Sequence, residues 1–468
     1  MEPLLDDQYL FPDNSRASWI ARDLYMQIRD RPLICPHGHC DPRWFAENKA
    51  FPNPAELLVT PDHYIFRMLH SQGVDLDTLG VPQADGSRAE TDGEKIWSVF
   101  AKNYYLFRGT PTRLWLDYVF SNLFGLTELL TEASAGKYYK TIADHLATDA
   151  FKPRALFEQF NIEALATTES PLDDLKWHRQ IADSDWKGRV VTAYRPDAVT
   201  DPDFAGFTEN LISFGILTDT EMNWTGYLDA HRKRRAFFAE HGATSTDHGH
   251  PTAATANLSA HAASLLFDRV KTGKAEPQER ELFRAQMLTE MAKMSVDDGL
   301  VMQIHPGSFR NHSGATFKKF GRDKGFDIPQ RTDYVRSLKP LLDVVGHEPK
   351  LSVILFTLDE SAYSRELAPL AGVYPCLKLG PAWWFHDSPE GMMRYRRLTT
   401  ETAGFYNTVG FNDDTRAFPS IEARHDVARR VDCVYLGELV ASKRLQMTEA
   451  QELAGDLANG LARKAYRF

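Results

Sequence analysis

Pro32-Leu33-Ile34-Cys35-Pro36-His37-Gly38-His39-Cys40-Asp41-Pro42 sets an apolar run against two histidines separated by one glycine. In a β-strand, residues i and i+2 point the same way, about 7 Å apart along the chain. His37 and His39 therefore share a face and can close on one metal ion, with Gly38 leaving room between them. The Asp41-Pro42 pair stops the strand. A lone His-x-His is equally compatible with two loop histidines, so its meaning depends on what the remaining chain places around it.

Outward from this strand the pattern changes twice. Residues 1–31 form a short approach with a helical pattern over Ser18–Tyr25. Residues 43–150 show apolar residues at helical spacing, including Ile96, Trp97, Phe100 and Tyr104, and no convincing strand. This predicts an inserted α-helical subdomain containing Asp62-His63-Tyr64-Ile65-Phe66-Arg67 at a helix start. From residue 151 onward short apolar runs alternate with long helical segments. The runs are 162–168, 190–195, 242–248, 300–305, 351–357, 376–380 and 407–412. Helical patterns cover 220–241, 257–273, 276–297, 330–345, 421–440 and 447–465. With residues 32–42 the strands number eight. Eight strand–helix units predict an α/β fold of the (β/α)8 TIM-like barrel type. A doubly wound open sheet is the alternative, but no Gly-x-Gly-x-x-Gly turn follows the first strand.

The 468 residues allow one large domain with an insertion, or two to three domains. A net charge of -10 argues against nucleic acid or an anionic membrane as main partner. It leaves room for an anionic small substrate held by local arginines. Four cysteines without a Cys-x-x-Cys pair give no disulfide framework and fit a reducing cytoplasm. The acidic start, Met1 to Asp7, lacks a signal-peptide pattern, and no apolar run is long enough to cross a membrane. A homo-oligomer is left open.

A barrel carries its chemistry at the C-terminal ends of its strands. Those ends offer His37, His39, Thr167-Thr168-Glu169, Arg195, Asp247-His248, His305, Lys378 and Asp413-Asp414-Thr415-Arg416. Strands 1 and 8 pair in a closed barrel. His37, His39 and Asp414 are thereby predicted to bind one divalent ion with positions open for substrate. Asp413 competes for that role, and the alternative for Asp414 is a helix N-cap. His305 is either a further ligand, a substrate contact or a hydrogen-bonded strand-end histidine. Arg195 and Arg416 are candidate carboxylate clamps, or members of internal ion pairs. Trp383 and Trp384 are a candidate sugar-stacking or lid surface, or an aromatic core under a loop. His248 and His250 make a second His-x-His after strand 4.

Together these motifs resemble the uronate (glucuronate) isomerases, a branch of the amidohydrolase superfamily. The resemblance follows the order His37-Gly38-His39, Asp62-His63-Tyr64-Ile65-Phe66-Arg67, Thr167-Thr168-Glu169-Ser170-Pro171-Leu172-Asp173, Tyr194-Arg195-Pro196-Asp197, and His305-Pro306-Gly307-Ser308-Phe309-Arg310. It continues through Gly325-Phe326-Asp327, Trp383-Trp384-Phe385-His386-Asp387 and Asp414-Thr415-Arg416-Ala417-Phe418. The last motif favours Asp414 over Asp413. Departures are Glu169 for Asp, Tyr194 for Trp, and Pro306 beside the strand-5 histidine.

The resemblance implies a barrel of the metal-dependent hydrolase type with one divalent metal, zinc. The implied reactions interconvert D-glucuronate with D-fructuronate and D-galacturonate with D-tagaturonate. On that basis Asp414 is expected to join the metal to proton exchange. His63 or Tyr64 would supply acid–base help. Arg195, Arg416, His305, Trp383 and Trp384 would hold the sugar acid. Two alternatives stand beside this: a metal-dependent hydrolase acting on a carboxylate-bearing substrate, and a non-catalytic sugar-acid-binding protein. Strand 6 ends Phe356-Thr357-Leu358-Asp359 without a histidine, which weakens a two-metal hydrolytic site.

Overall fold

The computed structural model describes residues 4–12 and 15–468. Seven parallel strands form one sheet in chain order: β1 (Leu33–Cys35), β2 (Ile162–Glu169), β3 (Val190–Tyr194), β4 (Ser245–His248), β5 (Val301–Ile304), β8 (Val353–Leu355) and β9 (Leu377–Leu379). A small antiparallel hairpin, β6 (Ser308–Phe309) and β7 (Ile328–Pro329), lies in the loop after β5. The sheet strands are almost wholly buried, as apolar strands covered on both faces must be. Registers such as Thr167↔Thr192, His248↔Ile304 and Val353↔Leu377 bring their C-terminal ends to one side.

The expected eighth strand, 407–412, is not a regular strand. It makes a single parallel bridge, Leu379↔Thr408. Gly410 has φ +79°, outside the β region, and the ladder breaks there. The chain nevertheless returns beside β1. The His39 backbone N–H donates to the Thr415 carbonyl at 3.0 Å. The ends expected to be strands 1 and 8 are therefore adjacent, joined by loop hydrogen bonds in place of a ladder.

Between β1 and β2 the chain forms only helical elements. Their starts are written locally. Asp41, Asn53, Asp62, Asp92 and Thr110 each accept a hydrogen bond from the first turn of the helix that follows. Pro42, Pro54 and Pro111 occupy first positions, where a missing N–H costs nothing. Asp41-Pro42 starts a helix but does not end the strand: β1 stops at Cys35, where Pro36 follows without an N–H for the ladder, and the residues carrying His37 and His39 are loop.

The helical pattern expected over 330–345 is helix only from Lys339 to Val345. Upstream, the Thr332 and Tyr334 N–H groups donate to Asp359 and Glu366, so side chains of the next loop replace helical acceptors. Helix Ser420–Ala441 is buried along nearly its whole length among helices Arg16–Ile28, Pro111–Tyr118 and Pro389–Ala403. Several of its charges are paired, among them Asp432 with Arg396 and Arg430 with Asp426. No helix of the described residues is long and apolar enough to cross a membrane. All four cysteines are free and buried.

Candidate active site

A cavity of about 870 Å³ opens at the C-terminal ends of the strands. His37 and His39 enter it just after β1, and Asp414 reaches it from the turn after the bridge at Thr408. Asp414 Oδ1 lies 3.5 Å from His37 Nε2 and 3.2 Å from His39 Nε2. It is shut from solvent and makes no hydrogen bond of good geometry. A carboxylate oxygen buried in that way is costly unless something satisfies it. Zinc ligands sit about 2.0–2.1 Å from the ion, so tetrahedral neighbours lie about 3.3–3.4 Å apart. The observed spacings match, and the donors are the two imidazoles and carboxylate of an open metal site. These residues therefore fit a metal ion.

Asp414 is no N-cap, because the following helix begins at Ser420. Its φ of +45° turns the side chain inward, and the Trp383 indole N–H holds Oδ2 at 3.0 Å. Burial opposes its ionisation. The imidazoles of His39, His37 and His305 outweigh burial and hold its carboxyl far below the usual range. Asp413 points elsewhere: its Oδ2 meets His425 Nε2 at 3.3 Å, and that nitrogen lies 3.7 Å from Cys35 Sγ. Burial keeps the Cys35 thiol protonated, so this cluster is a closed hydrogen-bond chain under the site.

Across the mouth, His305 Nδ1 lies 2.7 Å from Asp247 Oδ1. Its ring stacks on His37 (centroids 4.6 Å) and Phe356 (3.9 Å). Asp247, His305 and His37 form another possible donor set. Arg195 Nη1, however, sits 3.1 Å from Asp247 Oδ2 and already neutralises it. Burial opposes the ionisation of Asp247; Arg195, then His305 and His37, hold its carboxyl well down. Burial lowers His305 to about 4, so it is a neutral imidazole at pH 7.

Arg195 is also paired with Asp197 at 2.9 Å. Arg416 lines the cavity and makes no ion pair with the described acidic groups within 4 Å, which leaves its guanidinium free for a ligand. Arg310, in contrast, is taken by Asp327 at 2.8 Å. Lys378 turns away from the cavity to Asn407 and the Tyr406 carbonyl. His248 bonds to Thr246 Oγ1 at 3.0 Å, and neither His248 nor His250 lines the cavity.

The helical segment between β1 and β2 supplies one wall. His63 lines the cavity, and its ring meets Trp384 edge-on at 5.6 Å. Burial, followed by Arg416, lowers His63 to about 3. Tyr64 stands behind it with its hydroxyl donating to the Trp384 carbonyl at 3.2 Å; burial keeps the phenol protonated. Trp383 and Trp384 are nearly buried, so they form a wall and not an open platform. Trp384 has φ +53°, a costly backbone for a bulky residue and a mark of functional sites.

Arg424 was not foreseen. It donates to Asp387 Oδ2 at 2.6 Å and to the Asp413 carbonyl at 2.9 Å, and stacks on Trp115 at 3.7 Å. One buried guanidinium thereby ties the helical segment to the turn carrying Asp414. Asp323 was likewise missed as a cavity residue, and Asp247, offered among the strand ends, was given no role there. Asp323 has φ +58° in the loop after β5. Burial opposes its ionisation, but Arg416, Arg310 and Arg195 lower it to about 2.

A parallel barrel-like sheet with a His-x-His and carboxylate cluster at its strand ends is the frame of a metal-assisted enzyme. The family model for glucuronate isomerase matches residues 1–466. A uronate isomerase of Mesorhizobium japonicum is 67% identical over the full length of both chains. The crystal structure of glucuronate isomerase from Caulobacter crescentus is 57% identical, with TM-score 0.98 over 100% of this chain and 98% of that one. That of uronate isomerase from Thermotoga maritima is 26% identical, with TM-score 0.91 over 99% of each. The chain belongs to the glucuronate isomerase family, and it is an isomerase; the hydrolase alternative is not favoured.

Proposed function

We propose that this enzyme interconverts aldose and ketose forms of a hexuronate, D-glucuronate with D-fructuronate or D-galacturonate with D-tagaturonate, in hexuronate breakdown. The observation that carries the reading is the convergence of His37, His39 and Asp414 beside the unpaired Arg416. The site asks for a ligand with oxygens at one end and a carboxylate at the other, and an open-chain uronate has both.

His37, His39 and Asp414 would hold one divalent ion, zinc by its donor preference. When bound, such an ion acts as a Lewis acid on sugar oxygens. The chain's own residues do the rest. Arg416 binds the C6 carboxylate by paired N–H donors. Arg195, held by Asp197 and Asp247, presents its remaining donors to hydroxyl groups. Asp414, ionised at neutral pH, accepts a proton at the ring-opening step and returns it. His63 is neutral at that pH and is the acid–base group of the helical wall. Tyr64 positions it through the bond to Trp384. Neutral His305, fixed by Asp247, hydrogen-bonds the sugar. The outcome is transfer of the C2 proton to C1 and of the O2 hydroxyl proton to O1, so that C1 is reduced as C2 is oxidised with no external redox partner.

The test is incubation with D-glucuronate and D-galacturonate, a ketose assay, and an ester and amide panel as control. Ketose from at least one uronate, lost on chelation and restored by zinc, supports the reading. Hydrolysis without ketose formation overturns it.

A further inference from the structure

Drug-sized ligands occupy pockets of about 300–1,000 Å³, and a single hexuronate is smaller than such a ligand. The cavity, at about 870 Å³, lies toward the upper end of that range and leaves room beyond one sugar. Beyond the loop after β5, the lining continues through Phe204 and Phe317 to Arg284 on helix Pro277–Asp298, outside the ring of strands. The adjacent residues Arg322 and Asp323 both line the cavity. Asp323 faces the inner arginines, Arg416, Arg310 and Arg195. Arg322 lies over the Phe204 ring, 4.2 Å from its centroid.

The charges of the outer compartment are unequal in how they are spent. Arg284 is matched by Asp201, Asp203 and Glu281, each at 2.8 Å. Arg322 makes no ion pair with the described acidic groups within 4 Å, and its Nη1 is shut from solvent without a hydrogen-bond partner. The partly buried Arg322 lines the cavity, is held by the Phe204 ring and is matched by no described acid, so its remaining donors can receive a carboxylate.

We propose that this outer compartment binds the second residue of a short oligouronide, so that the enzyme also isomerises the reducing end of a 4-linked diuronide. The inference rests on the isomerase reading above. Isomerisation involves C1, C2 and the ring oxygen on C5, so a glycosidic bond on O4 neither forms nor breaks. With C1 and C2 at His37, His39 and Asp414, and C6 at Arg416, O4 lies between the two anchors and its substituent leaves sideways. The second carboxylate then meets Arg322.

The experiment measures ketose formation from the monomeric uronate that the zinc-loaded enzyme turns over and from its 4-linked dimer. Wild type is compared with Arg322→Gln and Phe204→Leu. Wild type should isomerise the dimer. Arg322→Gln should raise the dimer's KM at least about tenfold, as expected for a lost charge-assisted contact, with monomer kinetics unchanged. Phe204→Leu should weaken the dimer alone, by less. Normal turnover of the monomer with neither turnover nor competitive inhibition by the dimer overturns the inference and leaves the isomerase reading standing. So does an Arg322→Gln effect equal on both substrates, or absent. Failure to turn over either monomer overturns the isomerase reading, and this inference with it.

Discussion

Replacing Asp414 by asparagine isolates the charge that the site is arranged around. Asparagine tolerates the left-handed backbone at φ +45°, so the turn itself should survive. The side chain loses its basicity and its negative charge 3.2 and 3.5 Å from two imidazole nitrogens. It also faces a conflict. If its carbonyl oxygen keeps the Trp383 N–H, the amide –NH2 is turned on His37 and His39; in the opposite rotamer the –NH2 faces the indole donor. Loss of a general base alone costs about 10²–10⁴ in rate, and loss of an ionic metal ligand adds to it. The expected fall in kcat/KM is at least about a thousandfold, or about 4 kcal/mol. Asp413→Asn should behave differently, since Asp413 faces His425 and Cys35. It should retain activity within about tenfold while losing about 1–3 kcal/mol of stability from a disturbed buried hydrogen bond. Ketose assays, metal content and thermal unfolding on both purified variants decide the matter. An active, metal-replete Asp414→Asn beside an inactive Asp413→Asn would show that the wrong carboxylate has been assigned.

Arg416→Met should cost about 2–5 kcal/mol in kcat/KM on uronates and little on the matching neutral aldoses; an undiminished preference for uronates would remove Arg416 from the carboxylate site. Arg424→Gln breaks a pair with both members buried and should destabilise by about 3–5 kcal/mol, with Arg424→Lys intermediate; unchanged chemical denaturation would refute the tie it is assigned. Glu169 accepts hydrogen bonds from Thr167 and Thr192, and burial raises it to about 8, above its unfolded value. Its contribution is full below the unfolded value near 4.5 and is lost as pH rises toward 8, at about 1.4 kcal/mol per pH unit. Glu169→Gln, which never ionises, should gain stability relative to wild type as pH rises through that window, and a flat difference would contradict it. Burial lowers His178 to about 4 and His248 to about 3, so both favour the fold above the unfolded value near 6.5. That support should fade as pH falls from 6.5 toward 3, seen as acid destabilisation that His178→Asn reduces.

Local chemistry made much of this protein legible. Apolar runs separated by helical patterns are properties of a few neighbouring residues, and seven of the eight expected strands formed on them. The helix starts at Asp41-Pro42 and Asp62 follow from side chains bonding their own backbone. His37-Gly38-His39 could be singled out from its spacing, and barrel closure narrowed the third partner to Asp413 or Asp414. Only the family resemblance favoured Asp414, and β1 ends at Cys35, so the two histidines converge from the loop after the strand and not from a strand face. What could not be read depends on partners distant in the chain. Gly410 and Asp414 take left-handed conformations that break the eighth ladder, and only packing against the neighbouring elements selects them. Whether an arginine is free or spent is equally non-local. Arg195 and Arg416 look alike in sequence, yet Asp197 and Asp247 hold the first while the second makes no ion pair within 4 Å among the described residues, with Asp323 facing it from farther off. Arg424 sits in a helix whose burial on nearly every side hides its role behind an unpatterned run of charges. Tertiary structure decides these cases because a charge's value is set by what desolvates and faces it, and those groups come from anywhere in the chain.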